Sequence, residues 1–480
     1  MYKVKKPVDF GFLNFTTLDR RRFYCEEEVR LNRRLCPDIY LGVVELRQGQ
    51  EGLRFEGTGT LVDYAVKMKR LPEERMLQRI VERGELALEQ LDELARVIAA
   101  FHLEAARGPH IDELGSVAAI RANWTENFQQ IAPYLGRTIS RGDLAFIEQW
   151  IAEFLDTRQG LLQQRVAEGY IRECDGDLHL GNICLTDRVC IFDCIEFNER
   201  FRYSDTAADV AFLLMDLDNL GHPEFCEPFL QRYQETTGDH GLTEVLDFYR
   251  IYRAFVRGKV TSLRLSEELS EEEAGKLAAA ANRYFRLARG YCLRERLAPM
   301  LIVTCGVMGS GKSALAGELC RDLGLTLLSS DRVRKALAGR APTERGKEGY
   351  GAGIYSPESS EATYRALLER AREELVRGHG VVVDATFRRR GDRAAFQALA
   401  ESLGVPYHLV EIRCEREVLA RRLRERSLDP SVVSDGRVEF LERQLAEFEA
   451  PGPGEALVVD SGLPLDQEVD QVLEGLGVLP

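Results

Sequence analysis

The stretch GVMGSGKS sets Gly306, Gly311, Lys312 and Ser313 at the spacing G-x-x-x-x-G-K-[ST]. In a chain this long that pattern arises by chance on the order of 0.02 times, so it is informative by itself. Glycine-rich backbone, including Gly309 and the N–H of Ser310, lets successive amides converge on phosphate oxygens, and a following helix adds positive potential. Lys312 would then reach the β- and γ-phosphates of ATP, and Ser313 would hold magnesium. Such a site also needs an acid at a neighbouring strand end, which GVVVDATF supplies as Asp384. LLSSDRVRK adds Asp331, placed to take a proton from an acceptor hydroxyl, with Arg334 three residues on to grip an anionic group. A second stretch, DGDLHLGN, holds Asp177 five residues before Asn182, the spacing of a phosphoryl-transfer loop in which the acid is the base and the amide a metal ligand. That pair alone is weak, since it occurs by chance about once in a chain this long.

What must position these groups can also be read. After Asn182 come ICL, TDR and VCIF, then Asp193. A hairpin there brings Asn182 and Asp193 to one open end of two strands about 4.8 Å apart, where they share a cation with Asp177 alongside. His179 reads as a hydrogen-bonding residue rather than a base. Around GVMGSGKS, the apolar runs LIVTC, TLLSS, GVVVD, YHLVEI and ALVVD alternate with helical segments, predicting a doubly wound parallel sheet over 300–480. Upstream, RRFYCEEEVRLNRRL reads as a helix and IYLGVVEL and RFEGTGTLVDYAVKMK as strands of a small α+β lobe. From about residue 85 helices dominate. The first carries Leu88, Leu91, Ala95, Ile98 and His102 on one face, while Phe248, Tyr252 and Phe255 recur at helical spacing as core. The helices stop near CLRERLAPM, so the domains are 1–296 and 300–480. The fold class is multidomain α/β.

The chain has 480 residues, 45% hydrophobic and 30% charged, which is globular usage, and its net charge of −14 opposes a broad nucleic-acid surface. The basic start MYKVKKPVDFGF lacks an apolar h-region, and no apolar run of about 18 residues occurs, predicting a cytoplasmic chain with no membrane partner. Eleven irregularly spaced cysteines predict reduced thiols, with Cys174, Cys184, Cys190 and Cys194 read as buried small residues on strands rather than a zinc site.

At the residues quoted from 306 onward, the segment 300–480 resembles the P-loop kinase group that includes gluconate-type kinases, polynucleotide 5'-kinases and zeta toxins. That resemblance implies a base role for Asp331 and a lid in RRLRERSLDPSVVSD whose Arg422 and Arg426 meet the transferring phosphate. The stretches YKVKKPVDFGFLNF, EEEVRLNRRL, DLHLGNI, FDCIEFN, SDTAADVAFLLMDLD and YRAFVRGKV resemble the aminoglycoside phosphotransferase-type kinase-like fold. The whole chain is similar to bacterial bifunctional aminoglycoside phosphotransferase/ATP-binding proteins. This implies Asp177 as base, Asn182 and Asp193 as metal ligands, and an early-strand lysine paired with Glu28. Lys3 is preferred for that lysine, with Lys5 on the same strand face. Asp205 and Asp209 are read as capping or structural residues.

Two departures from that pattern stand out. Asp175 replaces the usual histidine before Gly-Asp, predicting a raised pKa for Asp177 or recruitment of a cation. Only two residues precede Lys3, predicting either a misassigned start codon or an incomplete small lobe that clamps ATP poorly. The leading expectation is a magnesium- and ATP-dependent phosphotransferase acting on a small hydroxylated molecule, with the P-loop domain the more securely nucleotide-binding. The alternatives are a nucleic-acid 5'-hydroxyl kinase and a degenerate kinase-like domain that binds a ligand and regulates a P-loop ATPase.

Overall fold

The computed structural model describes the chain except residues 10, 12, 51, 342, 343, 345–348, 350, 429–437 and 480, and the side chains at 426–428. The chain divides into two compact units, Met1–Cys292 and Leu293–Pro480.

The first unit opens with a four-stranded antiparallel sheet in the order Tyr2–Val4, Thr60–Met68, Tyr40–Gly49, Gly52–Phe55. Tyr2–Val4 is an edge strand, pairing Lys3 with Val66. Against the sheet lies the helix Leu18–Asn32, started by the Thr17 hydroxyl, which accepts the Arg20 N–H at 3.3 Å. This helix carries six arginines and glutamates in its first eleven residues yet buries Cys25, Glu28, Val29 and Leu31, so it offers the sheet one narrow inward face. Beyond the sheet the unit is mostly helical. Leu88–Glu104 buries Leu91, Ala95, Ile98 and His102 as its spacing predicts, but Leu88 itself is exposed at the first turn. Thr206–Leu220 is buried along nearly its whole length and packs on Leu242–Leu263.

A short hairpin, Ile183–Leu185 with Val189–Ile191, pairs Ile183 with Ile191 and Cys184 with Cys190. The expectation of reduced thiols fails at one pair: Cys36 and Cys190, 154 residues apart in sequence, are joined in a disulfide. The end of the first helix and the hairpin meet in one buried apolar cluster, a proximity that spacing alone does not reveal.

The second unit is a five-stranded parallel sheet in the order Thr326–Ser329, Val381–Asp384, Leu301–Cys305, Tyr407–Arg413, Leu457–Asp460. Its central strand is buried at every residue, because helices cover both faces of such a sheet. The register aligns Ser329 with Asp384 and Asp384 with Thr304, so three neighbouring strands end level. Among the described residues, no helix is long and apolar enough to cross a membrane.

Candidate functional site

In a doubly wound sheet, ligands bind outside the carboxyl ends of the strands. There the central strand runs through Gly306 into a loop and then the helix Lys312–Leu323. Gly306 and Gly311 hold φ of 142° and 104°, a region that favours glycine. A Cβ on Gly306 would lie 2.7 Å from the Ile412 carbonyl oxygen, so the loop is drawn tight against the adjoining strand end. Lys312 is buried, its Nζ donating to the Val307 carbonyl at 2.7 Å and lying 3.4 Å from Ser310 Oγ, so its charge is folded over its own loop. Ser313 stands exposed one residue into the helix.

Helix Arg416–Leu428 packs on this loop, with Leu423 against Gly309 and the Arg422 guanidinium beside Gly311. Arg422 donates to Ser461 Oγ at 3.0 Å and to the Ser461 carbonyl at 2.7 Å. Gln444 accepts the Met308 N–H at 2.5 Å, a loop contact that no sequence motif announced. The Arg426 side chain and the expected lid from residue 429 onward lie outside the described residues. Buried Asp384 closes the neighbouring strand. Asp331 sits in the first turn of Ser330–Leu337, two residues past the next strand, and accepts from Arg334 at 3.1 Å; the Arg334 guanidinium lies 4.8 Å from the Tyr355 ring centre. The P-loop, Asp384 and Asp331 thus share one edge of the sheet.

The first unit gathers a second constellation. Asn182 Nδ2 donates to Asp177 Oδ2 at 3.0 Å and to the Asp177 carbonyl at 3.1 Å, so Oδ1 is the atom it offers elsewhere. The hairpin aligns Asp193 with it, since the Phe192 N–H donates to the Asn182 carbonyl at 3.0 Å. Lys3 Nζ reaches Asp193 at 2.5 Å and Glu28 at 2.9 Å, while Lys5 bonds Glu28 at 2.7 Å and also Glu196. Both candidate lysines therefore hold Glu28, Lys3 on the half-exposed side and Lys5 buried. Burial works against charging Lys3, but Asp193 and Glu28 outweigh it and raise its pKa. Glu196 escaped the sequence reading, although it lies only three residues past Asp193.

Burial pushes the Asp177 carboxyl up, but the bond and charge from His179, with Arg257 and Arg253, prevail and hold it below the usual range. The expectation that Asp175 raises Asp177 is therefore wrong. Asp175 is itself raised well above the ordinary value, first by burial and then by Asp209 and Asp177. Asp175 Oδ1 accepts the Asp177 N–H at 3.1 Å, and Asp209 accepts the N–H groups of Asp175 and Gly176 at 2.8 and 3.0 Å. Asp205 caps its helix through the Ala207 N–H at 2.9 Å. Among the described residues, the only metal-compatible cluster of histidine, cysteine and carboxylate is buried His102, Cys174 and Asp209, and it does not include the other three cysteines once considered for zinc. In both constellations the candidate ligands, Ser313 with Asp384 and Asn182 with Asp193, offer only oxygen atoms, the hard donors magnesium takes.

A family model described as "Phosphotransferase enzyme family" matches residues 24–251, and one described as "AAA domain" matches 301–451. Uncharacterized proteins of Mycobacterium bovis and Mycobacterium tuberculosis are each 33% identical to the chain over 429 residues, covering 88% of it and 82% of theirs. Among solved structures, a gluconokinase from Sinorhizobium meliloti is 25% identical with a TM-score of 0.28, covering 37% of this chain and 92% of its own. An APS kinase of Mycobacterium tuberculosis, solved with AMPPNP and APS, is 19% identical with a TM-score of 0.28, covering 38% and 98%.

Proposed function

Because the chain belongs to the two-domain family that joins a kinase-like phosphotransferase domain to a P-loop kinase domain, and is thereby an ATP-dependent kinase, we propose that it phosphorylates a small hydroxylated molecule at its P-loop site. The observation that carries this reading is the level ending of three adjacent strands, which sets the phosphate loop, Asp384 and Asp331 along one edge. Loop amides from Gly306 to Ser313 grip the nucleotide, and Lys312 exchanges the Val307 carbonyl for its phosphates. Magnesium, held by Ser313 and Asp384, supplies neutralisation of phosphate charge when bound. Asp331 takes the acceptor proton, and Arg334, anchored on Asp331 and Tyr355, orients the acceptor. A hydroxyl-positioning acid favours transfer over hydrolysis, and the net charge of −14 favours a small acceptor over a nucleic acid.

Calorimetric titration of the full chain with a non-hydrolysable ATP analogue and magnesium should give saturable binding that Lys312→Ala abolishes. Asp331→Asn should keep that binding while lowering phosphoryl transfer about 10²-fold or more. Transfer within about threefold of the parent removes Asp331 as the base. Labelled transfer to oligonucleotides in preference to sugars overturns the choice of acceptor.

A further inference from the structure

The stretch YRAFVRGKV places three cations, Arg253, Arg257 and Lys259, on helix Leu242–Leu263. Two of them are held by neutral protein groups. Arg253 donates to the Gly176 and Ala208 carbonyls at 2.8 and 3.0 Å, and Lys259 donates to Asn127 and Gln130 on helix Val117–Ile131 at 2.7 Å each. Arg257 differs. Its Nη2 donates to Tyr284 Oη, on helix Glu271–Arg294, at 3.2 Å, and among the described residues it has no other hydrogen bond and no carboxylate partner. Its Nε is buried without a partner, whereas Nη1, equally unpartnered, is open to solvent. A guanidinium partly out of water with so few partners suits an oxyanion, whose planar edge matches its fork.

Its place in the fold gives that charge a neighbour. Arg253 and Arg257, one helical turn apart, lie over the Phe212 ring at 4.9 and 6.0 Å from its centre. His179 packs on the same ring at 5.3 Å and reaches Asp177 at 3.5 Å. Both arginines lower the Asp177 carboxyl, Arg257 more than Arg253. Asp216, the other carboxylate that feels Arg257, is buried, and its Oδ2 accepts the Leu180 N–H at 3.2 Å. Asp177, His179, Arg257 and Tyr284 are all partly exposed, so the group opens on solvent and a guest needs no closed cavity.

The atoms on offer state which guest. Tyr284 Oη accepts from Arg257, which leaves its O–H to donate, and burial raises the phenol so that the proton stays on. Arg257 Nη1 and Tyr284 Oη are therefore two donors side by side. An oxyanion takes both; an ammonium takes neither. Asp177 Oδ2 accepts from Asn182, leaving Oδ1 for a hydroxyl. We propose that Arg257 and Tyr284 form, beside Asp177, a binding site for a hydroxylated anion, whose hydroxyl meets Asp177 and whose carboxylate or phosphate meets the guanidinium. The site belongs to the first unit, so it stands apart from the reading of the P-loop.

Calorimetry and ligand-observed NMR on the full chain without nucleotide test it, with gluconate and glucose 6-phosphate as anions, glucose as the neutral ring and glucosamine as the cation. At least one anion should bind saturably, about tenfold or more tighter than glucose or glucosamine. Arg257→Met should weaken that binding about tenfold or more, and Tyr284→Phe, which keeps the ring, about fivefold. Arg334→Met, in the second unit, should not remove it. If Arg257→Met does not fold, Tyr284→Phe decides. Failure of both anions to bind at millimolar concentration overturns the proposal, as does equal binding of glucose or glucosamine, or binding untouched by Tyr284→Phe. Binding lost in Arg334→Met but kept in Arg257→Met also overturns it, while leaving the P-loop reading intact.

Discussion

Asp175 bears the electrostatic strain of the DGD loop. Its carboxyl is buried beside Asp209 and Asp177, and its raised pKa means that the fold favours the protonated form. For an acid, stability linked to such a shift is fully present below the unfolded pKa of about 3.9 and is lost as pH rises through the folded value. Asp175→Asn keeps an oxygen for the Asp177 N–H and removes the group that must ionise. The variant should melt several degrees above the parent near pH 8, with the difference fading below about pH 4, as followed by circular dichroism. An equal difference at both pH values would mean that the carboxyl's ionisation is not the cause. The phosphate loop was legible because its eight residues, Gly306 to Ser313, are contiguous and their chemistry is local. The fate of Asp175 was not, because Asp209, 34 residues away, accepts the N–H groups that pin the loop. Likewise Gln444, 136 residues from Met308, carries no signal in its own neighbourhood.

At the level of elements, the alternation of apolar runs and helical segments fixed the second unit closely, since a parallel sheet needs strands buried on both faces and leaves that pattern in the residues. The hairpin of the first unit was equally readable from ICL-TDR-VCIF. Contacts between helices were not. Lys259 on Leu242–Leu263 is buried against Val117–Ile131, donating to Asn127 and Gln130 at 2.7 Å each, and burial lowers its pKa to about 8. Between pH 8 and its unfolded value of about 10.4, the unfolded chain holds a proton that the folded unit does not. Stability of this helix pair should therefore rise with pH across that interval, by at most about 3 kcal/mol. Lys259→Met removes the titrating group, so urea unfolding at pH 7.5, 8.5 and 9.5 (about these values) should give a flatter profile than the parent. A parent whose unfolding midpoint stays level or falls over this range contradicts the assignment.

Two phosphoryl-transfer constellations in one chain raise the question of which does the chemistry. The first unit has an ionised Asp177 beside Asn182, but its Lys3 is already committed to Asp193 and Glu28. In the second unit, Lys312 donates to the Val307 carbonyl and lies beside Ser310 Oγ, inside the loop whose amides converge on phosphate. If the two sites act in parallel on one acceptor, the rates left in Asp177→Asn and in Lys312→Ala must sum to the parent rate. If they act in series, each substitution alone removes most of it. With the P-loop as the transferring site, initial rates on the full chain should fall below about 1% in Lys312→Ala and stay within about twofold in Asp177→Asn, with the double variant no slower than Lys312→Ala. The reverse ranking would move catalysis to the kinase-like unit, and large losses in both would make the units successive parts of one reaction.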